Sequence, residues 1–195
     1  MKVEEPDLSG TYSYADYLTW TFDEMVELIN GKVYRMSPAP SSKHQLVVGE
    51  LYLQLASFLK KKPCKVFIAP FDVRLPQSRK KGNEFIDTVV QPDLCIICDL
   101  TKIDAAGCLG APDWIIEILS PHTSAKDLRQ KFDVYEKSKV KEYWVVDPIS
   151  GTVLVYTLNS KGKFEGLLKP YVKSEKIKSH TLPGLVVDLN EVFQD

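Results

Sequence analysis

The stretch Asp113–Leu119 reads Asp-Trp-Ile-Ile-Glu-Ile-Leu, and it constrains the fold more than any other part of the chain. Trp114, Ile115, Ile116, Ile118 and Leu119 are apolar with no polar alternation, the mark of a short strand buried on both faces. Such a strand needs cover above and below. Two amphipathic segments supply it. From about Lys43 to Lys61, Val47, Val48, Leu51, Leu55, Phe58 and Leu59 recur at helical spacing, and Pro63 ends the helix. From about Ala125 to Lys139, Leu128, Phe132 and Tyr135 form a second stripe. Helix, three strands, helix and two strands in that order predict an α/β or α+β fold. Helices flank a central mixed sheet whose middle strands start at Asp93 and Asp113.

The remaining elements follow from local signals. A short helix is predicted near Tyr14–Trp20 and another near Phe22–Ile29, then a strand over Asn30–Met36 with Gly31 at a turn. The turn formers of SPAPSS make a loop, and Ser42 with Gln45 fits a helix-start capping box. Residues 65–75 alternate as one strand through Val66, Ile68, Phe71, Val73 and Leu75; the loop Pro76–Asn83 is basic. Val89–Val90 leads through Gln91–Pro92 to the strand Asp93–Cys98. SPHTS opens the second helix, with Ser124 and Asp127 as a capping pair. Strands Glu142–Val146 and Thr152–Leu158 flank Pro148 and Gly151, and a last strand or turn lies near Leu182–Leu189. No repeat or linker divides the 195 residues, so one domain is expected. It would comprise an N-terminal extension (1–43, short helices and a strand), a core (44–147) and C-terminal strands (148–195).

Charge is balanced overall but segregated. Lys and Arg number 25 and Asp and Glu 26, a net charge of -1 that excludes a wholly basic nucleic-acid binder. Residues 1–30 carry seven acids against Lys2, whereas residues 60–81 carry eight bases against Asp72, and residues 161–178 carry six Lys against two Glu. Each run reads most simply as solvated surface, yet two basic blocks leave room for a phosphate-facing side. No apolar run approaches a membrane span, and the acidic start MKVEEPDLSG is no signal or transit peptide, so a cytoplasmic protein is expected. Cys64, Cys95, Cys98 and Cys108 then read as reduced thiols. Cys95 and Cys98, three apart on a strand, point to opposite faces and suit two core thiols better than a metal or redox pair.

Glu117 is the residue that asks for chemistry. A carboxylate among Ile115, Ile116, Ile118 and Leu119 is costly unless paired, hydrogen-bonded or bound to a cation. A structural ion pair is the plainer explanation. Asp93 opens the neighbouring apolar strand directly after Pro92, where a turn-type bond to backbone is the plain alternative. Together the two acids suit one hard divalent ion, Mg²⁺ or Mn²⁺. Lys131 borders the buried stripe of the second helix. It either pairs with Asp127 on the surface or orients an attacking water and stabilises charge on a phosphate.

At these residues the sequence resembles the Uma2 family of bacterial proteins, in the PD-(D/E)XK, restriction-endonuclease-like group. The stretches ELINGKVYRMSPAPSSKHQ, VQPDL, APDWIIEILSPHTSAKDLRQKFDVYEKSKVKEYWVVDP and LPGLVVDL carry the resemblance from about Tyr14 to Phe193. It implies a restriction-endonuclease-like fold and puts the family's Pro-Asp on Pro92–Asp93 and its next acid on Glu117. The group's usual lysine two residues later is Leu119 here, and Lys131 matches the family's lysine on the following helix. Glu27 and His44 match recurring positions too. His44 would ligate metal or substrate or bond at the helix start, and Glu27 would partner that loop. Ser120, Asp127 and Tyr135 match as supporting or packing residues.

The resemblance implies a metal-dependent endonuclease that hydrolyses DNA phosphodiester bonds. Asp93 and Glu117 would hold Mg²⁺ or Mn²⁺, joined by the Ile118 carbonyl, and Lys131 would act on water or phosphate. Lys60, Lys61, Lys62, Arg79, Lys80 and Lys81 would contact the DNA backbone, and two copies would pair as a homodimer. The absent lysine at 119 and the near-neutral charge motivate an alternative, a non-cleaving nucleic-acid-binding or protein-binding module on the same fold. A weaker alternative is hydrolysis of another phosphoester.

Overall fold

The computed structural model describes residues 6–21, 25–36, 40–77, 80–120, 127–167 and 169–194, with the backbone alone at 127 and 128. Four helices are described: α1 (Tyr14–Tyr17), α2 (Ser42–Leu59), α3 (Phe132–Lys137) and α4 (Leu189–Val192). The strands are β1 (Val26–Ile29), β2 (Lys32–Arg35), β3 (Lys65–Ile68), β4 (Val73–Arg74), β5 (Val89–Val90), β6 (Leu94–Ile97), β7 (Ile103–Asp104), β8 (Gly107–Leu109), β9 (Trp114–Ile118), β10 (Glu142–Asp147), β11 (Thr152–Leu158), β12 (Phe164–Gly166), β13 (Tyr171–Val172), β14 (Lys176–Lys178) and β15 (Val186–Asp188). No described helix is long and apolar enough to cross a membrane.

The main sheet runs β12-β11-β10-β9-β6-β3, with β13 beside β11. β9 and β10 are parallel and the other pairs antiparallel, so the sheet is mixed, and the crossover between β9 and β10 carries α3. β9 is buried along its whole length. Trp114, Ile116 and Ile118 pack with Leu94, Trp144 and the α2 residues Val47, Leu51 and Leu55. Ile115 turns to the other face, with Cys95, Val134, Tyr135 and Tyr143. The double-faced burial expected of the isoleucine run is therefore present, with α2 on one side and α3 on the other.

A second sheet, β2-β1-β5-β4-β8-β7, covers the α3 side. It accounts for most departures from the local signals. Val26–Ile29 forms β1, not the end of a helix over Phe22–Ile29; residues 22–24 lie outside the described set. The reason is the Asn30–Gly31 pair. Both residues have positive φ (50° and 76°), the geometry of a tight hairpin turn, and it folds β2 back on β1 from Ile29↔Lys32 outward. Residues 65–75 are two strands, not one. β3 ends at Ile68, and beyond Pro70, which lacks an N–H for the ladder, the chain crosses to the second sheet as β4.

At the helix ends, the hydroxyl of Ser41, not Ser42, caps α2 by accepting the His44 N–H at 3.2 Å. The helix expected over 125–139 is regular only from Phe132 to Lys137. A wider π-type turn, Asp127–Lys131, precedes it, and the Ser124 cap lies outside the described residues.

The cysteines need a larger correction. Cys64 and Cys98 form a disulfide, with sulfurs 2.06 Å apart, and are not reduced thiols. The antiparallel register of β3 and β6, Lys65 opposite Ile97, sets residues 64 and 98 opposite one another one step further. Cys95 and Cys108 are free and buried, and burial pushes the Cys108 thiol up to about 11.

The C-terminal strands are tied into the main body. The Gln54 side chain accepts from the Asp188 N–H at 2.9 Å and donates to the Asp188 carbonyl at 3.2 Å. Glu142, fully buried on β10, accepts from Trp144 Nε1 (2.8 Å), Ser179 Oγ (3.0 Å) and the Thr181 N–H (2.6 Å).

Candidate active site

Two adjacent antiparallel strands bring the first pair of acids together. Leu94 lies opposite Ile116, so one step further Asp93 lies opposite Glu117. Glu117 shares the α3 face with Ile115, while the Asp93 carboxylate, just before β6 begins, reaches the end of the sheet where α2 supplies His44. Asp93 Oδ2 accepts the Ile118 N–H at 2.7 Å, which ties its carboxylate across the end of β9. The plain alternative for Asp93, a side-chain bond to backbone, is thus present, made across strands and not within a turn.

The helical segment adds two donors with one spacing. Lys131 and Tyr135 are four residues apart and share a face. Lys131 Nζ and the Tyr135 hydroxyl each stand 2.7 Å from Glu117 Oε1. Lys131 is 3% exposed and also pairs with Glu27 Oε1 at 2.9 Å; the side chain of Asp127, its expected surface partner, lies outside the described residues. Glu27, from β1 of the second sheet, is 0% exposed, and the same Oε1 accepts the Gln91 N–H at 3.0 Å. Gln91 Nε2 reaches on to Asp72 Oδ1 at 2.8 Å, and burial holds the Asp72 carboxyl above the ordinary carboxylate value. His44, in the first turn of α2, sets Nε2 3.3 Å from Asp93 Oδ1. Five residues expected from the sequence (Glu27, His44, Asp93, Glu117 and Lys131) thus form one continuous cluster.

Glu27 and Glu117 meet at the Lys131 ammonium, and Asp93 lies beside the His44 imidazole. Carboxylate oxygens of this kind suit a hard divalent cation. Among the described residues no group of three or more His, Cys, Asp and Glu side chains is arranged to hold a metal ion. An ion here could take Asp93 and Glu117 and fill its other positions with water, a carbonyl or substrate oxygen. Mg²⁺ commonly binds in this way, through one or two carboxylates and retained waters. Burial, then the charges of Glu117 and Glu27, raise the Tyr135 hydroxyl well above its ordinary value, so it stays protonated and remains a donor.

The basic candidates stand elsewhere. Lys60, Lys61 and Lys62 are exposed at the far end of α2, and Lys62 Nζ lies 3.2 Å from the Phe58 ring centroid. At 1.5 Å per residue, Lys60 is about 24 Å along the helix axis from His44. Lys80 and Lys81 are exposed beside the turn at Asn83–Phe85, with Lys80 Nζ 5.1 Å from the Phe85 centroid; Arg79 lies outside the described residues. The structure also adds groups that the residue pattern had not singled out. Gln91 enters through its backbone N–H, which no side-chain pattern reveals. Tyr135, matched only as support, was visible as the i+4 neighbour of Lys131.

Comparison with known proteins agrees with this architecture. The model of the Uma2 family, described as "Putative restriction endonuclease", matches residues 14–190. An uncharacterized protein of Synechocystis is 22% identical over 182 residues, spanning 92% of this chain and 90% of that protein. The crystal structure of a putative nuclease from Anabaena variabilis superposes with a TM-score of 0.71 at 20% identity, covering 93% of this chain and 97% of that one. At that identity the likeness establishes the fold, a nuclease-like mixed α+β architecture.

Proposed function

The chain belongs to the Uma2 family of restriction-endonuclease-like proteins, and from that premise we propose that it is a metal-dependent endonuclease hydrolysing DNA phosphodiester bonds. The observation that carries the proposal is the buried cluster in which Glu117 accepts from both Lys131 and Tyr135 while Asp93 lies opposite on the next strand. Asp93 and Glu117 are the proposed ligands of Mg²⁺ or Mn²⁺. When bound, such an ion supplies a water of lowered pKa and neutralises charge on the scissile phosphate.

The chain's own groups have separate tasks. The Ile118 N–H and His44 hold the Asp93 carboxylate in place. Glu27 keeps the Lys131 ammonium inside the cluster at 2.9 Å. Lys131 is the proposed catalytic cation, positioning the attacking water or stabilising charge that develops on the phosphate. The exposed lysines at 60–62 and 80–81 are proposed contacts for a DNA backbone that extends beyond the cluster. A homodimer would set two such sites against the two strands of a duplex.

Cleavage of supercoiled plasmid with Mg²⁺ or Mn²⁺ tests the proposal. The parent should nick or linearise the plasmid, and Asp93→Ala and Glu117→Ala should each lose about 100-fold or more in rate. Variants that cut as well as the parent would overturn the site. Salt-dependent DNA binding by a parent that never cuts would return the non-cleaving binding module.

A further inference from the structure

Tyr135 is fully buried, and its ring meets the Tyr143 ring edge-on with centroids 5.1 Å apart. Phenylalanine would fill the same space, and a buried hydroxyl is costly without a partner. The hydroxyl of Tyr135 has one 2.7 Å away, Glu117 Oε1. A donor that close to a carboxylate is a charge-assisted bond, stronger than a neutral one. Lys131 Nζ reaches the same oxygen at the same distance, so two donors from one helix face fix the rotation of the Glu117 carboxylate. Val134, beside Tyr135, is packed into the core with Val145 and Ile115, so the helix cannot shift the hydroxyl without disturbing that layer.

We propose that Tyr135 is a positioning residue for metal binding: its hydroxyl sets the orientation of Glu117, and through Glu117 the affinity for a divalent cation. This rests on the reading that Asp93 and Glu117 hold that cation. Groups that support a metal ligand from behind typically change affinity 10–100-fold when removed. The hydroxyl does not touch metal or DNA in this role. Its loss changes the cation concentration that is needed and leaves DNA affinity alone.

The test is calorimetric titration of the full chain with Mn²⁺ in the absence of DNA, parent against Tyr135→Phe. The expected result is a 10–100-fold weaker Mn²⁺ affinity. Cleavage by the variant should need correspondingly more Mn²⁺, with the KM for DNA unchanged at saturating metal. If Tyr135→Phe is too weakly folded to titrate, its rise in melting temperature on adding Mn²⁺ reads the same affinity, because a ligand specific for the native state stabilises it according to its Kd. Equal or tighter Mn²⁺ binding with only a lowered melting temperature makes Tyr135 a packing residue and overturns the proposal. A parent that binds no Mn²⁺ overturns the proposal together with the metal reading. A parent that binds Mn²⁺ but cuts no DNA removes the nuclease reading and leaves the comparison between parent and variant to decide on Tyr135.

Discussion

Replacing Lys131 by methionine keeps the unbranched apolar stem of the side chain and deletes its charge. In the parent the ammonium lies 2.7 Å from Glu117 and 2.9 Å from Glu27, and neither acid is more than 3% exposed. Breaking a buried ion pair by removing one partner costs about 3–5 kcal/mol, because a charge is left uncompensated. Two acids lose a partner here, but the Tyr135 hydroxyl still holds Glu117 and the Gln91 N–H still holds Glu27, so the loss stays in that range. Against a total stability of about 5–15 kcal/mol the variant remains folded but is weakened. With a urea slope of roughly 2 kcal/mol/M, the unfolding midpoint falls by about 1.5–2.5 M at an unchanged slope. Combining the change with Glu27→Gln should cost less than the two single losses together, by about 0.5–3 kcal/mol, as expected for residues in contact. A midpoint shift under about 0.5 M, or strict additivity, would show that Lys131 is not held between the two acids and would refute the electrostatic account of the site.

Two other predictions concern stability. Cys64→Ser opens a disulfide that spans 34 residues, and the loop-closure relation puts its loss at about 3.8 kcal/mol; urea melts with and without reductant check this, and a parent indifferent to reductant would contradict it. Burial, followed by the charge of Asp72, pushes the Tyr17 hydroxyl up to about 12. Because the folded value is the raised one, the contribution is fully present below pH 10 and is lost as pH rises from 10 through 12, where the unfolded chain ionises first. After allowance for solvent at a half-buried ring the loss is about 1–2 kcal/mol. The stability of the parent should therefore fall relative to that of Tyr17→Phe over this window, and a constant difference between the two would exclude the effect.

The parts of this molecule that could be read from its sequence are those whose signal is local. The unbroken apolar run around Glu117 announced a strand covered on both faces, and the stripe of α2 announced one of its covers. Glu117 and Asp93 stood out because a charge in such surroundings is costly. What escaped depends on partners far along the chain. β4, β5 and β7 have two residues each and β8 has three, too few for any periodicity, so the second sheet was invisible. Val26–Ile29 sits inside that sheet, and only the Asn30–Gly31 pair marked it locally. The Cys64–Cys98 bond is a consequence of the register between β3 and β6, which residue spacing does not encode. Lys131 was placed at the edge of a buried stripe, but its second acid, Glu27, comes from the second sheet.

The Glu142 carboxylate has a consequence for the order in which this chain matures. It is buried on β10, yet two of its donors, Ser179 and Thr181, lie 37 and 39 residues downstream. Gln54 on α2 likewise waits for Asp188, 134 residues later. Synthesis delivers the N-terminal part first. A nascent chain that stops short of residue 179 therefore keeps the Trp144 indole N–H on Glu142 but lacks the two donors that hold its other carboxylate oxygen. The hydrogen bonding of the central sheet and of α2 is thus completed only when residues 179–188 have joined it. Variants truncated before residue 179 should then be destabilised and aggregate more readily than the full chain, as urea melts and size-exclusion chromatography would show.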